Sequence, residues 1–184
     1  DADPQIYLTD LRGNNEKKYF FFFYYLEGIT SIGDSILAVV VEITREILFL
    51  NLKDNSESVY QTGFEGEVNN GLEGITYFPT EKNLFISNEK NPKLILKTNF
   101  NAEILSYSSI DFTEDLAGLY FDQSNNTLWI LSQEGNMIYK CSPEYKIIEQ
   151  YSIPNIQYEG IAVNGKNIYL VSDSEKILSI YLIP

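Results

Sequence analysis

Leu26-Glu27-Gly28-Ile29-Thr30 recurs as Leu72-Glu73-Gly74-Ile75-Thr76, and in degraded form as Leu116-Ala117-Gly118-Leu119-Tyr120 and Tyr158-Glu159-Gly160-Ile161-Ala162. The copies lie 46, 44 and 42 residues apart. Each is followed by a turn and a second apolar run: Leu37 to Val41, Leu84 to Ser87, Leu128 to Leu131, Ile168 to Ser172. Each second run ends beside a polar or acidic residue at a matching place, Glu42, Glu89, Gln133 or Asp173. A third run follows in every copy, and a fourth in most, such as Glu103 to Tyr107 and Ile147 to Ile153. Four short strands in a unit of this length mark a β-propeller blade. The intervening turns, such as Ile32-Gly33-Asp34 and Asn164-Gly165-Lys166, agree. No stretch carries a 3.6-residue apolar period, so almost no helix is expected. Four in-phase copies of one turn-strand order count against a β-sandwich with coincidentally similar strands.

The expected fold is therefore all-β, a single propeller domain over residues 1–184. Complete blades are expected at 26–71, 72–115 and 116–157, and a partial closing blade at 158–184. Asp1 to Leu8 align with Glu89 to Leu96, so the chain opens at the end of a second strand. Residues 1–25 then supply a partial first blade, its third strand at Gln5 to Leu11 and its fourth at Lys18 to Tyr24. Three whole blades between two partial ones imply five in the parent protein. A propeller closes to remove its open edges. Two strands or more are thus expected to be absent, leaving one wedge thin or open where residues 5–11 and 18–24 adjoin the 159–183 unit.

Composition narrows the chemistry. Of 184 residues, 44% are apolar and 21% charged, which is globular rather than disordered. Aromatics reach 14%, which favours strands. There is no histidine, which removes imidazole catalysis and His-metal sites. The one cysteine, Cys141, removes internal disulfides and Cys-based zinc sites, and is read as a core residue. Thirteen basic against 26 acidic residues give a net charge of −13. That disfavours nucleic acid and anionic membranes and favours cations or basic partners. The longest apolar-aromatic run, Tyr19 to Leu26, is far shorter than the roughly 20 residues of a spanning helix, so no transmembrane segment is expected in this chain. That run reads as an outer strand with one buried face, and Trp129 as core.

In a blade the first strand lines the channel and the second runs antiparallel beside it. The Glu of Glu-Gly-Ile opens strand one, and the acidic residue of the second run closes strand two. Glu27 with Glu42, Glu73 with Glu89, and Glu159 with Asp173 are therefore expected in pairs at one channel mouth. Crowded carboxylates repel unless a cation, protons or basic groups compensate. Oxygen-only ligands select a hard cation such as Ca²⁺. The alternative is a structural rim, with the Glu accepting backbone hydrogen bonds and the Gly serving close packing. The repeat fixes positions and leaves both open.

Leu26-Glu27-Gly28-Ile29-Thr30…Gly33-Asp34…Ala38 to Glu42, then Asn70-Gly71-Leu72-Glu73-Gly74-Ile75-Thr76-Tyr77…Asn88-Glu89-Lys90-Asn91-Pro92, resemble the SdiA-regulated (YjiK-like) family of bacterial proteins. Leu131-Ser132-Gln133-Glu134 and Tyr158-Glu159-Gly160-Ile161-Ala162…Ile168 to Ser172 extend the match over nearly the whole chain. The resemblance implies a five-bladed propeller, distantly related to NHL-repeat proteins, with a calcium site and a periplasmic or cell-envelope location. Ala117 departs from the pattern where Glu is expected, although Asp115 and Glu134 lie close in sequence.

The leading expectation is a non-enzymatic calcium-binding propeller that presents a surface to another macromolecule, with a protein as the possible partner. The runner-up is a calcium-dependent hydrolase of esters, lactones or phosphates, with Glu42 or Glu89 as general base. Lys90, Lys93 and Arg45 are read as solvated blade edges, which leaves a phosphate substrate without basic contacts. A purely structural module is the third reading.

Overall fold

In the computed structural model, residues 5–21, 25–66 and 71–183 are described. The expected Phe22 to Tyr24 portion of an outer strand, the opening Asp1 to Pro4 turn and Asn70 lie outside them. Seventeen strands and no helix are found among the described residues. A two-stranded sheet comes first, β1 (Gln5–Thr9) with β2 (Asn15–Phe20). Three four-stranded sheets follow. The first holds β3 (Leu26–Ile32), β4 (Ile36–Val41), β5 (Glu46–Asn51) and β6 (Glu57–Gln61). The second holds β7 (Leu72–Phe78), β8 (Asn83–Asn88), β9 (Leu94–Thr98) and β10 (Ile104–Ser109). The third holds β11 (Gly118–Asp122), β12 (Thr127–Ser132), β13 (Met137–Cys141) and β14 (Ile147–Ser152). A three-stranded sheet ends the chain, β15 (Gly160–Asn164), β16 (Asn167–Ser172) and β17 (Ile177–Leu182). Every pairing is between consecutive antiparallel strands, as the short turns dictate. The all-β propeller read from the repeat is the fold observed. No helix among the described residues is long and apolar enough to cross a membrane.

Four apolar seams join neighbouring sheets. Tyr19, Phe21 and Ile6 of the two-stranded sheet and its flank pack on Val39, Val41, Leu48 and Leu50. Val40 and Ile47 meet Ile75, Leu84 and Leu96. Phe78, Phe85 and Ile95 meet Leu119, Phe121 and Ile130. Trp129, Leu131 and Ile138 meet Val163, Ile168 and Leu170. The two faces of each middle strand are thus buried in different seams, which is why β8 and β12 read as continuous apolar runs rather than alternating ones. Tyr19 and Phe21 are buried while Phe20 points outward, the one-faced pattern expected of the aromatic run. Cys141 is fully buried among these side chains, and burial pushes its thiol up to about 11.

The first strands β3, β7, β11 and β15 contact one another in succession. The motif glycines permit it. A Cβ on Gly28 would sit 2.3 Å from the carbonyl oxygen of Glu73, and one on Gly74 would sit 2.7 Å from the amide nitrogen of Leu119. The motif threonine binds the sheets at the same level. Thr30 Oγ1 accepts from the Tyr77 N–H at 3.3 Å, and Thr76 Oγ1 accepts from the Phe121 N–H at 2.8 Å.

Because the obstructing atoms at Gly28 are backbone, an added methyl forces the sheets apart. Gly28→Ala and Gly74→Ala should each cost about 1–3 kcal/mol of unfolding free energy. Gly118→Ala, whose nearest contact is 3.0 Å, should cost less. Urea denaturation of the three variants reads this order, and equal small losses at all three would contradict it.

Candidate functional site

The site is built by a local irregularity. In β3 and β7 the ladder slips at the Glu-Gly pair, between Leu26 and Ile29 and between Leu72 and Ile75. A bulge of this kind re-aims a side chain at a strand end. The Glu42 N–H donates to the Tyr25 carbonyl at 3.0 Å, and the Glu89 N–H to the Gly71 carbonyl at 3.0 Å. The Glu159 N–H donates to the Val171 carbonyl at 3.0 Å. These bonds hold the end of strand two beside the start of strand one.

Five of the six expected acidic residues line one cavity of about 310 Å³: Glu27, Glu73, Glu89, Glu159 and Asp173. Ala117 and Gln133 supply its remaining, uncharged wall. Glu27, Glu73 and Glu159 also edge the larger channel of about 1030 Å³, which the first strands line. The sixth residue, Glu42, stands behind the mouth. Its Oε1 accepts from the Gly71 N–H at 3.3 Å, although its charge is felt by both Glu27 and Glu73.

The crowding shows in the proton affinities. Burial, then repulsion from Glu42, Glu159 and Asp173, raises Glu27 to about 7, against a lowering hydrogen bond with Glu73. Burial, then repulsion from Glu27, Glu42, Glu89 and Glu159, raises Glu73 to about 9. Burial and Asp173 raise Glu159. At neutral pH Glu73 therefore keeps its proton and donates it toward Glu27. Among the described residues no three acidic side chains close to direct metal-ligand spacing.

Two groups near the mouth escaped the sequence. Lys90, expected to be a solvated edge, bridges Glu89 at 2.9 Å and Glu134 at 2.7 Å. Burial lowers its basicity, but its hydrogen bonds to Glu134 and Glu89 outweigh that and hold the ammonium charged. No spacing rule pointed from Lys90 to Glu134, 44 residues on, because their meeting depends on neighbouring sheets. Asp115 does not take the place of the missing Glu at Ala117. It is fully buried and accepts from Ser132 Oγ and from the N–H groups of Gln133 and Glu134, both at 3.1 Å. It ties down the β12–β13 turn. Lys93 reaches the Thr113 carbonyl, and the Arg45 guanidinium lies 5.6 Å from the Phe64 ring centre.

The model of the SdiA-regulated family matches residues 2–178, and the chain belongs to that family. Among solved structures it is similar to a chain of the nidogen/laminin complex, with a TM-score of 0.66 and 15% identity. That match covers 92% of this chain and 65% of the other, so the chain spans just under two thirds of that relative's length. The WD40 β-propeller domain of Doa1 matches with a TM-score of 0.58 and 13% identity, over 86% of this chain and 51% of that one. Streptogramin B lyase matches with a TM-score of 0.50 and 16% identity, over 86% and 69%. At these identities the likeness carries the propeller fold alone.

Glu27, Glu73 and Glu159 bind protons more tightly folded than unfolded, where a Glu titrates near 4.5. Their contribution to stability is complete below that value and is lost as pH rises through the folded values. The metal-free protein should therefore lose melting temperature steadily between about pH 5 and pH 9. Glu73→Gln, which needs no proton, should flatten the upper part of that decline. A profile flat in both proteins would contradict the crowding.

Proposed function

We propose that this chain is a non-enzymatic, calcium-binding β-propeller of the bacterial envelope that serves as an interaction module for another protein. The observation that carries the ion is the gathering of Glu27, Glu73, Glu89, Glu159 and Asp173 around one cavity of about 310 Å³. Burial, and then mutual repulsion, raises the proton affinity of Glu27, Glu73 and Glu159, and carboxylates so placed gain by exchanging protons for a divalent cation. The donor set is oxygen alone, which suits Ca²⁺. Glu27, Glu73 and Glu159 would hold the ion, with Glu89 and Asp173 beside them. Because three carboxylates do not close on one point, the set fits an ion that keeps water in its shell rather than one in a closed protein cage. Calcium there would neutralise repulsion between consecutive first strands and stiffen the ring. The envelope location rests on what the family resemblance implies, and the partner surface on the acidic rim and the stacked sheets.

A hydrolase is the second reading, because Glu27 edges a channel of about 1030 Å³ where burial, then the neighbouring carboxylates, push it up to about 7. A general base works best near the operating pH. Glu42 and Glu89, the bases expected from the sequence, are engaged by the Gly71 N–H and by Lys90. Hydrolysis of activated esters that needs Ca²⁺ and disappears in Glu27→Gln would favour this reading.

Calcium at a hundredfold excess over its Kd should stabilise the folded chain by about 2.7 kcal/mol. For a chain of this size that is a rise of roughly 5–10 °C in melting temperature. Glu73→Gln should at least halve the rise, and magnesium should produce a smaller one. Scanning calorimetry at pH 8 checks this, and an unchanged melting temperature in millimolar calcium would return the rim to a structural role.

A further inference from the structure

A strand that closes a sheet leaves a row of N–H and C=O groups unpaired, and a charged side chain or a proline there keeps other strands away. Three strands close the four-stranded sheets: β6, β10 and β14. β6 begins with Glu57 and ends with Gln61, whose amide donates to Glu46 at 2.7 Å. β14 carries Glu149 in mid-strand, paired with Lys140 at 3.0 Å. β10 is Ile104-Leu105-Ser106-Tyr107-Ser108-Ser109, with no charge and no proline. It also holds the most exposed large apolar side chains of the three, Tyr107 at 70% and Leu105 at 53%.

The backbone sets what this edge can accept. Leu105 and Tyr107, two residues apart, stand on one face of the sheet, and Ser106 and Ser108 on the other. The Ile110 N–H donates to the Lys93 carbonyl at 3.1 Å, toward β9. Alternation along the ladder therefore turns the N–H and C=O of Ser106 and Ser108 toward β9, and those of Tyr107 and Ser109 outward. The sheet that carries β10 is complete, and other sheets pack on both its faces.

We propose that β10 is a self-association edge, at which a second copy of this chain pairs its own β10 antiparallel to the first about a two-fold axis at Ser106. Tyr107 of each copy then lies opposite Leu105 of the other, so the aromatic–aliphatic pair forms twice by symmetry. Main-chain bonds from the outward groups join two four-stranded sheets into one of eight. Charge selects this occupant. A chain with a net charge of −13 repels its own copies, which meet closely only where neither brings a charged group. A basic partner finds its complement at the acidic mouth, and nothing on β10 attracts it. Glu103 and Asp111 stand just beyond the strand, so screening by salt strengthens the contact. The inference is independent of the ion.

Sedimentation velocity in EDTA, where calcium plays no part, tests this. The chain should pass from monomer toward dimer between about 10 µM and 1 mM, as a small contact does, and the dimer fraction should rise in about 0.5 M NaCl. Tyr107→Lys changes an exposed site, so it should keep the melting temperature within about 2 °C and stay monomeric throughout. Ser106→Cys should form a disulfide dimer when copper–phenanthroline takes two electrons from the paired thiols, because the two-fold axis sets the two Cα atoms about 4.5 Å apart. Cys141 is buried and does not compete. Ser109→Cys, about 20 Å from its copy in this register, should not crosslink. A chain still monomeric at about 1 mM overturns the proposal. So does a dimer that survives Tyr107→Lys, weakens in salt, or crosslinks through Ser109→Cys as readily as through Ser106→Cys.

Discussion

At Gly28 and Gly74 one first strand lies so close to the next that the residue between them can have no side chain. At Gly28 the carbonyl of Glu73 occupies the space a methyl group would need. That approach sets the radius of the ring, and the radius sets the spacing of everything the first strands carry. The glutamates that precede Gly28, Gly74 and Gly160 are therefore brought near one another whether or not their charges agree. Packing of the seams, with Trp129, Ile47, Leu84 and Ile130 fully buried, overcomes the repulsion. The stored conflict appears as carboxyl groups that keep protons near neutral pH. Structure and site thus have one cause: tight convergence of inner strands yields both the packed sheets and a mouth crowded with carboxylates.

The mouth is not symmetric. Ala117 and Gln133 make one quadrant neutral, and Lys90 offsets charge at Glu89 and Glu134. Negative potential is concentrated where Glu27, Glu73, Glu159 and Asp173 face one another. Asp115 shows how a degraded repeat can keep its fold while losing the motif glutamate. Its buried carboxylate satisfies the turn from inside, with four oxygen lone pairs available and three donors presented.

The blades were legible because strand order, turn chemistry and repeat length all act locally. That the first two strands pair could be read from alignment, although the second, expected at Lys18 to Tyr24, is found at Asn15–Phe20. The gathering of Glu27, Glu73, Glu89, Glu159 and Asp173 at one mouth was also legible, since hairpin geometry fixes which ends share a level. What escaped depends on relations between sheets. Thr30 and Thr76 looked like ordinary strand residues, yet they accept from the next sheet's backbone. Lys90 looked solvated because its second partner is in another blade. Glu42 matched the acidic pattern, but the Gly71 amide holds it back from the cavity.

The central claim is that inner-strand packing forces these carboxylates together until proton and cation compete for them. Carbon-13 NMR of the glutamate side-chain carboxyls, titrated with and without calcium, measures this directly. The account gives midpoints near 7 for Glu27 and near 9 for Glu73 in the metal-free protein, both moving to lower pH when calcium is added. Midpoints close to 4.5 that calcium leaves unmoved would contradict it.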